Sequence, residues 1–174
     1  MELKDIKQQF FTYRNGMLAD LLRSSGDTHK VIFGLNLPQI IEIARIAGKD
    51  TTLAEQLWNN INTRESRLIA PMIYPIECFS IEKAHEWINS IESTEVADIL
   101  CHKLLRYCNY AEELYISYSN SPSDILRYFA LRLAQNLLVR DININRATLY
   151  RIANSEINRN VAITKTLALE LAES

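Results

Sequence analysis

Apolar residues recur along this chain three and four positions apart, in a succession of short segments that reads as helices. The first segment, residues 2–25, carries Leu3, Ile6, Phe10, Met17, Leu21 and Leu22 at that spacing. Gly26 offers it a C-terminal stop, and Gly16, after Arg14 and Asn15, offers it a place to bend. A loop through residues 29–36 leads to Pro38, which a first helical turn accepts because the N–H it lacks would have no partner there. Ile40, Ile41, Ile43, Ala44 and Ala47 then form an apolar helix ending at Gly48.

Helices are expected next over residues 52–61, 63–74, 81–90 and 94–107. Asn62 and Glu65 have the spacing of a capping box, and Pro71 predicts a kink or an early end in the 63–74 element. Ser121-Pro122-Ser123-Asp124 reads as a helix start, with a cap, a proline at the first position and an acid at the third. The helix it opens runs through Arg140, with Leu126, Phe129, Ala130, Leu133, Leu137 and Leu138 inward. Helices over residues 146–155 and 160–172 close the chain.

These segments come in pairs with a repeated layout. Trp58 is followed seven residues later by Glu65, and Trp87 eight residues later by Glu95, each acid in the partner helix; the tryptophans are 29 apart. A third unit around residues 115–124 keeps the order, with Tyr115 in place of tryptophan. Helix pairs at a period of roughly 30–45 residues mark an α-solenoid. The expected fold is therefore all-α, a HEAT-like α-α superhelix in one domain over residues 1–174, right-handed, with the first and last helices as polar-faced ends. A compact bundle is the alternative the periodicity leaves open.

Composition narrows this little. Four glycines and four prolines in 174 residues are too few to punctuate a β-sandwich. The net charge of −2 argues against a wholly basic nucleic-acid binder. Residues 140–165, however, hold five basic residues (Arg140, Arg146, Arg151, Arg159, Lys165) against Asp141 and Glu156, enough for a local positive patch. Three cysteines, Cys78, Cys101 and Cys108, and no apolar run of the roughly 20 residues a membrane span needs fit a reduced, cytoplasmic protein.

One ordered set of motifs is more specific. Phe33-Gly34-Leu35-Asn36-Leu37-Pro38, an apolar helix, Leu53-Ala54-Glu55-Gln56-Leu57-Trp58 and Arg64-Glu65-Ser66-Arg67-Leu68-Ile69-Ala70 resemble the DNA alkylation repair family. Those proteins are HEAT-like DNA glycosylases that act on 3-methyladenine and 7-methylguanine. Trp87-Ile88-Asn89-Ser90 and Thr94-Glu95-Val96-Ala97-Asp98-Ile99-Leu100 extend the resemblance, which covers residues 13–139. It implies a concave basic face that holds duplex DNA by its backbone, and a cleft where an aspartate and tryptophans meet the lesion-bearing sugar. A carboxylate there stabilises oxocarbenium character, and aromatic faces attract a cationic base.

By this resemblance Asp98 takes the catalytic position. Thr94 stands where the family has a tryptophan one turn earlier, and residues 167–174 contain no aromatic. The acid is present without its aromatic cage, so DNA binding is expected ahead of base excision. An acid near a helix start also serves its own free N–H groups. Arg64, Arg67, Lys103, Arg106, Arg127, Arg132, Arg140 and Arg151 recur on helices that suit one phosphate-binding face, or else an ordinary solvated face with salt bridges. Tyr107, Tyr110, Tyr115 and Tyr118 cluster near one turn, as packing residues or as a stacking platform. His29, His85 and His102 lack the partners a zinc site needs, so no metal or other cofactor is expected. The expected partner is duplex DNA, weakly bound. The alternative is a protein-interaction scaffold without enzymatic activity, which the mildly acidic pI of about 5.9 suits.

Overall fold

The structure, a computed structural model, describes residues 1–140 and 144–174. Its regular structure is helical, apart from one isolated parallel bridge between Val31 and Thr63. The chain divides into two compact units, Met1–Ser80 and Ile81–Ser174.

The first unit holds α1 (Leu3–Tyr13), α2 (Gly16–Ser24), α3 (Leu37–Ala47), α4 (Thr51–Trp58) and α5 (Arg64–Ile73). The expected segment over 2–25 is two helices, because Asn15 caps a new one: its Oδ1 accepts from Leu18 N at 3.1 Å. Gly26, at φ 100°, ends α2. Asn36 and Gln39 form a reciprocal capping box at the start of α3, with bonds of 2.9 and 3.0 Å, and Pro38 sits in that first turn. Pro71 lies inside α5, which stops at Ile73. Ile6, Phe10, Leu35, Ile40, Ile43, Leu57, Leu68 and Ile69 form the core.

Glu65 corrects the expected Asn62–Glu65 capping box. The cap position of α5 is Thr63, and Arg64 N donates to Val31 O at 3.1 Å. The Glu65 carboxylate is fully buried and reaches away from its own helix. It accepts from the backbone N–H groups of Phe33 (3.2 Å), Gly34 (3.0 Å) and Leu35 (3.3 Å), and from Arg64 Nη1 (3.1 Å). Successive N–H groups converging on one carboxylate form an anion nest made of main chain. Gly34 is required in it: φ is 78°, and a Cβ would lie 2.1 Å from Asn15 O.

The second unit holds α6 (Ile81–Asn89), α7 (Thr94–Lys103), a 3-10 turn (Leu105–Tyr107), α8 (Ala111–Tyr118), α9 (Asp124–Val139), α10 (Arg146–Arg159) and α11 (Ala162–Ala172). The segment expected over 94–107 is thus α7 and a separate turn, broken at Leu104. The tyrosine-rich stretch is itself a helix, α8, with Ala111, Leu114 and Tyr115 buried. The helix expected to open at Pro122 begins two residues later, at Asp124, after Ser123 N bonds Ser121 Oγ at 3.2 Å. Trp87, Leu100, Tyr115, Phe129, Leu133 and Ala168 lie in the core, with α9 packed on α7, α8 and α11.

Bonds within this unit recur at one sequence offset. Asp98 meets Arg132, His102 meets Asn136, and Arg106 O meets Arg140, each 34 residues apart. His85 meets Tyr118 at 33, and Gln135 meets Glu170 at 35. A constant offset with rungs advancing together means that α7 and α9 run parallel, as equivalent helices of successive repeats. The repeat is therefore 33–35 residues, longer than the 29 that separates the tryptophans.

Candidate nucleic-acid interface

The seam between α7 and α9 gathers four of the eight expected DNA-binding residues: Lys103, Arg106, Arg132 and Arg140. Steps of four on α7 and its following turn (98, 102, 106) face steps of four on α9 (132, 136, 140), so three rungs lie along one helical face.

The first rung is neutralised. Asp98 Oδ1 accepts from Arg132 Nε at 2.7 Å and from Tyr128 Oη at 2.8 Å. Arg132 also donates to Tyr128 Oη at 2.8 Å and to Gln135 Oε1 at 2.6 Å. Burial opposes the Arg132 charge, but the bonds to Tyr128 and Asp98 outweigh it and raise its pKa. Burial above all pushes the Tyr128 phenol up to about 12. Asp98 therefore does not cap α7; Ser93 does, with its Oγ accepting from Val96 N at 3.2 Å. The Asp98 side chain is 39% exposed. Among the described residues the aromatic that meets it is Tyr128, through the hydroxyl.

The second rung is polar. Asn136 Nδ2 donates to Arg132 O at 2.9 Å, which turns its Oδ1 toward His102 Nδ1 at 3.2 Å. Arg106 Nη1 lies 3.0 Å from the same ring nitrogen. A guanidinium only donates and an amide oxygen only accepts, so Nδ1 serves one of them at a time: it accepts from Arg106 as a bare nitrogen, or donates to Asn136 Oδ1 when it carries a proton. Burial lowers the His102 pKa; the Asn136 bond pulls it up, and Arg106 and Lys103 lower it further.

The third rung holds two cations. Arg140 Nη1 donates to Arg106 O. Both guanidiniums stand at Tyr107, Arg140 at 4.5 Å and Arg106 at 5.0 Å from the ring centroid, and Arg106 Nη2 bonds its Oη at 3.1 Å. Neither arginine has a carboxylate partner among the described residues.

Three other expected DNA-binding residues have structural partners instead. Arg64, Arg67 and Arg127 are buried, at 4%, 2% and 4% exposure, which corrects their placement on a phosphate-binding face. Arg64 donates to Leu35 O and Glu65. Arg67 donates to Trp58 O at 2.9 Å, its guanidinium 3.7 Å from the centre of that indole. Arg127 donates to Ser121 O and to the carboxylates of Glu156 (2.9 Å) and Asp124. Arg67 and Arg127 do share a role: each ties down a carbonyl preceding its own helix. Arg151 is exposed on α10, with no contact to the seam among the described residues.

Trp58 and Trp87 are buried and present no face to a ligand. Of the tyrosine cluster, Tyr115 is buried, Tyr118 bonds His85 Nδ1 at 2.8 Å, and Tyr107 stands out at 48% exposure. Sequence reading missed His102 and Asn136 as seam residues. The signal that finds them is the 34-residue offset, visible once Asp98 and Arg132 are paired. Among the described residues no three His, Cys, Asp or Glu side chains gather as metal ligands, and no helix is long and apolar enough to cross a membrane.

Comparisons with known proteins agree with the helix-pair architecture. A solved structure matches with a TM-score of 0.84 at 17% identity, covering 98% of this chain and 74% of the other. It is described as a new family of proteins related to the HEAT-like repeat DNA glycosylases with affinity for branched DNA structures. No curated protein matches the sequence. The family model of the DNA alkylation repair enzymes matches residues 6–166. This all-α, HEAT-like chain belongs to the DNA alkylation repair enzyme family.

Proposed function

We propose that this protein binds DNA through its phosphodiester backbone along the α7–α9 seam, without excising bases. The observation that carries this is the third rung, where Arg106 and Arg140 lie together and neither meets a carboxylate among the described residues. With Lys103 they leave three seam cations without a carboxylate partner among the described residues, Arg132 being paired with Asp98. The affinity for branched DNA described for the structural neighbour makes a four-way junction the ligand of choice over a linear duplex.

The absence of excision rests on the surroundings of Asp98. Thr94 occupies the preceding turn, and Tyr128 meets the carboxylate by its hydroxyl, so among the described residues no ring face stands ready for a cationic base. The test has two arms. Fluorescence anisotropy with a labelled junction and a duplex of equal length should show salt-sensitive binding that favours the junction. Equal affinity removes the branched-DNA reading, and flat salt dependence removes backbone binding altogether. Incubation with 7-methylguanine duplex should release base at the uncatalysed rate. Release by wild type that Asp98→Asn abolishes overturns the non-enzymatic reading.

A second reading draws on the first unit. Phe11, Met17 and Leu21 are exposed there at 58%, 85% and 59%, an apolar surface more suited to a protein partner than to phosphate. A stoichiometric protein partner recovered by crosslinking, and lost in a Met17→Lys/Leu21→Lys variant, would favour it.

A further inference from the structure

We infer that Arg106, Tyr107 and Arg140 form a single phosphate clip, in which the tyrosine holds two guanidiniums on one phosphodiester group. This inference rests on the DNA-binding reading above and deepens it.

The three rungs differ in charge. At the first, an acid faces a base; at the second, two neutral side chains meet; at the third, two cations share one position. Like charges so placed repel unless something offsets them. The ring of Tyr107 offsets part of it, with guanidiniums 4.5 and 5.0 Å from its centroid. A bound anion would offset the rest.

Most of the open donors belong to Arg140. A guanidinium carries five N–H groups. Arg140 uses Nη1 on Arg106 O, and its Nη2 and Nε have no hydrogen-bond partner among the described residues. Arg106 spends Nη1 on His102 and Asn136 and one N–H of Nη2 on Tyr107, and its Nε is buried without a partner, so one Nη2 N–H is left for a ligand. Those neutral partners fix its direction without cancelling its charge. Arg140 in turn fixes the Arg106 backbone, so the two cations are positioned jointly before any ligand arrives. Planar, fixed forks of this kind suit the tetrahedral oxygens of a phosphate better than lysines would. Because both guanidiniums lie against Tyr107, that ring positions them and is not the stacking platform for a base.

The test compares wild type with Arg140→Ala, Tyr107→Leu and Arg151→Ala, using a labelled duplex of about 20 base pairs over a salt titration. Arg140→Ala should lower affinity about tenfold at low salt and shallow the log–log salt slope by about 1. Tyr107→Leu leaves every charge in place and should still cost about two- to fivefold. Arg151→Ala, the same change of net charge outside the seam, should cost less than Arg140→Ala. Unfolding curves establish that each variant is folded, and Arg140→Lys provides a milder replacement if the alanine is not. Wild-type affinity and slope in both Arg140→Ala and Tyr107→Leu overturn the clip while leaving DNA binding in place. A Tyr107→Phe variant that loses as much as Tyr107→Leu assigns the effect to the hydroxyl bond with Arg106. A wild type that shows no salt-sensitive binding overturns the clip and the function beneath it together.

Discussion

At the scale of single residues, the strongest commitments are buried charges and one glycine. Glu65 has given up water entirely and is matched by three main-chain N–H groups and Arg64. Replacing it with alanine strands those donors and leaves the buried Arg64 guanidinium the longer contact with Asp27 at 3.6 Å, and should cost about 3–5 kcal/mol in urea unfolding; a loss under about 1 kcal/mol would show that the nest matters little. Gly34→Ala should also destabilise, by about 2–4 kcal/mol, since the new methyl meets backbone atoms of Asn15 and Ala19 that cannot withdraw. His102 carries a pH dependence. Burial first, then Arg106 and Lys103, hold its folded pKa below the ordinary value of about 6.5. Between those two values the unfolded chain binds more protons than the folded one, so stability rises with pH across the window and is lost as pH falls. Wild type should therefore lose more unfolding free energy than His102→Gln on going from about pH 7.5 to about pH 5.5. Equal losses would mean that the ring titrates freely.

At the scale of elements, most helices were legible because their apolar spacing and caps are local. Those clues also missed boundaries: α8 hides behind four tyrosines, one of them fully buried, and α9 opens two residues late because Ser121 turns the chain first. What the sequence could not display was which charges leave the surface. Arg64, Arg67 and Arg127 look like neighbours of Lys103 and Arg106 in any linear reading. Their burial follows from partners 1–37 residues away, most of which only packing brings in. The family motifs are explained on the same terms: Phe33-Gly34-Leu35 is the nest and Arg64-Glu65 fills it. Asp98 was found, but its partners Tyr128 and Arg132, 30 and 34 residues on, were not. A direct contrast separates the two kinds of arginine. Arg127→Ala, which leaves buried Glu156 with Thr164 and the longer contact to Arg159 at 3.6 Å, should cost about 3–5 kcal/mol of stability. In protein that remains folded it should leave duplex affinity unchanged, while Arg140→Ala does the reverse; loss of affinity in Arg127→Ala would return that residue to the ligand face.

At the scale of the whole molecule, a net charge of −2 gives no long-range pull toward DNA. Attraction has to come from the seam, and at physiological ionic strength it reaches only about 8 Å. The clip and Lys103 together make two phosphate contacts, which predict a log–log salt slope near −1.8 on duplex, so affinity should fall by about tenfold between 50 and 200 mM salt. A slope near −1 would reduce the interface to the clip alone. The rungs have a further consequence for how a strand could lie. Their charge climbs in one direction, from a cancelled pair through a neutral pair to two cations, over roughly two helical turns or about 11 Å. Such a ramp has a high end and a low end. A polyanion would be drawn to one end of the seam and left unheld at the other, so the protein would grip a backbone at a point instead of along a line. A point grip tolerates a strand that changes direction beside it, as strands do where duplexes branch.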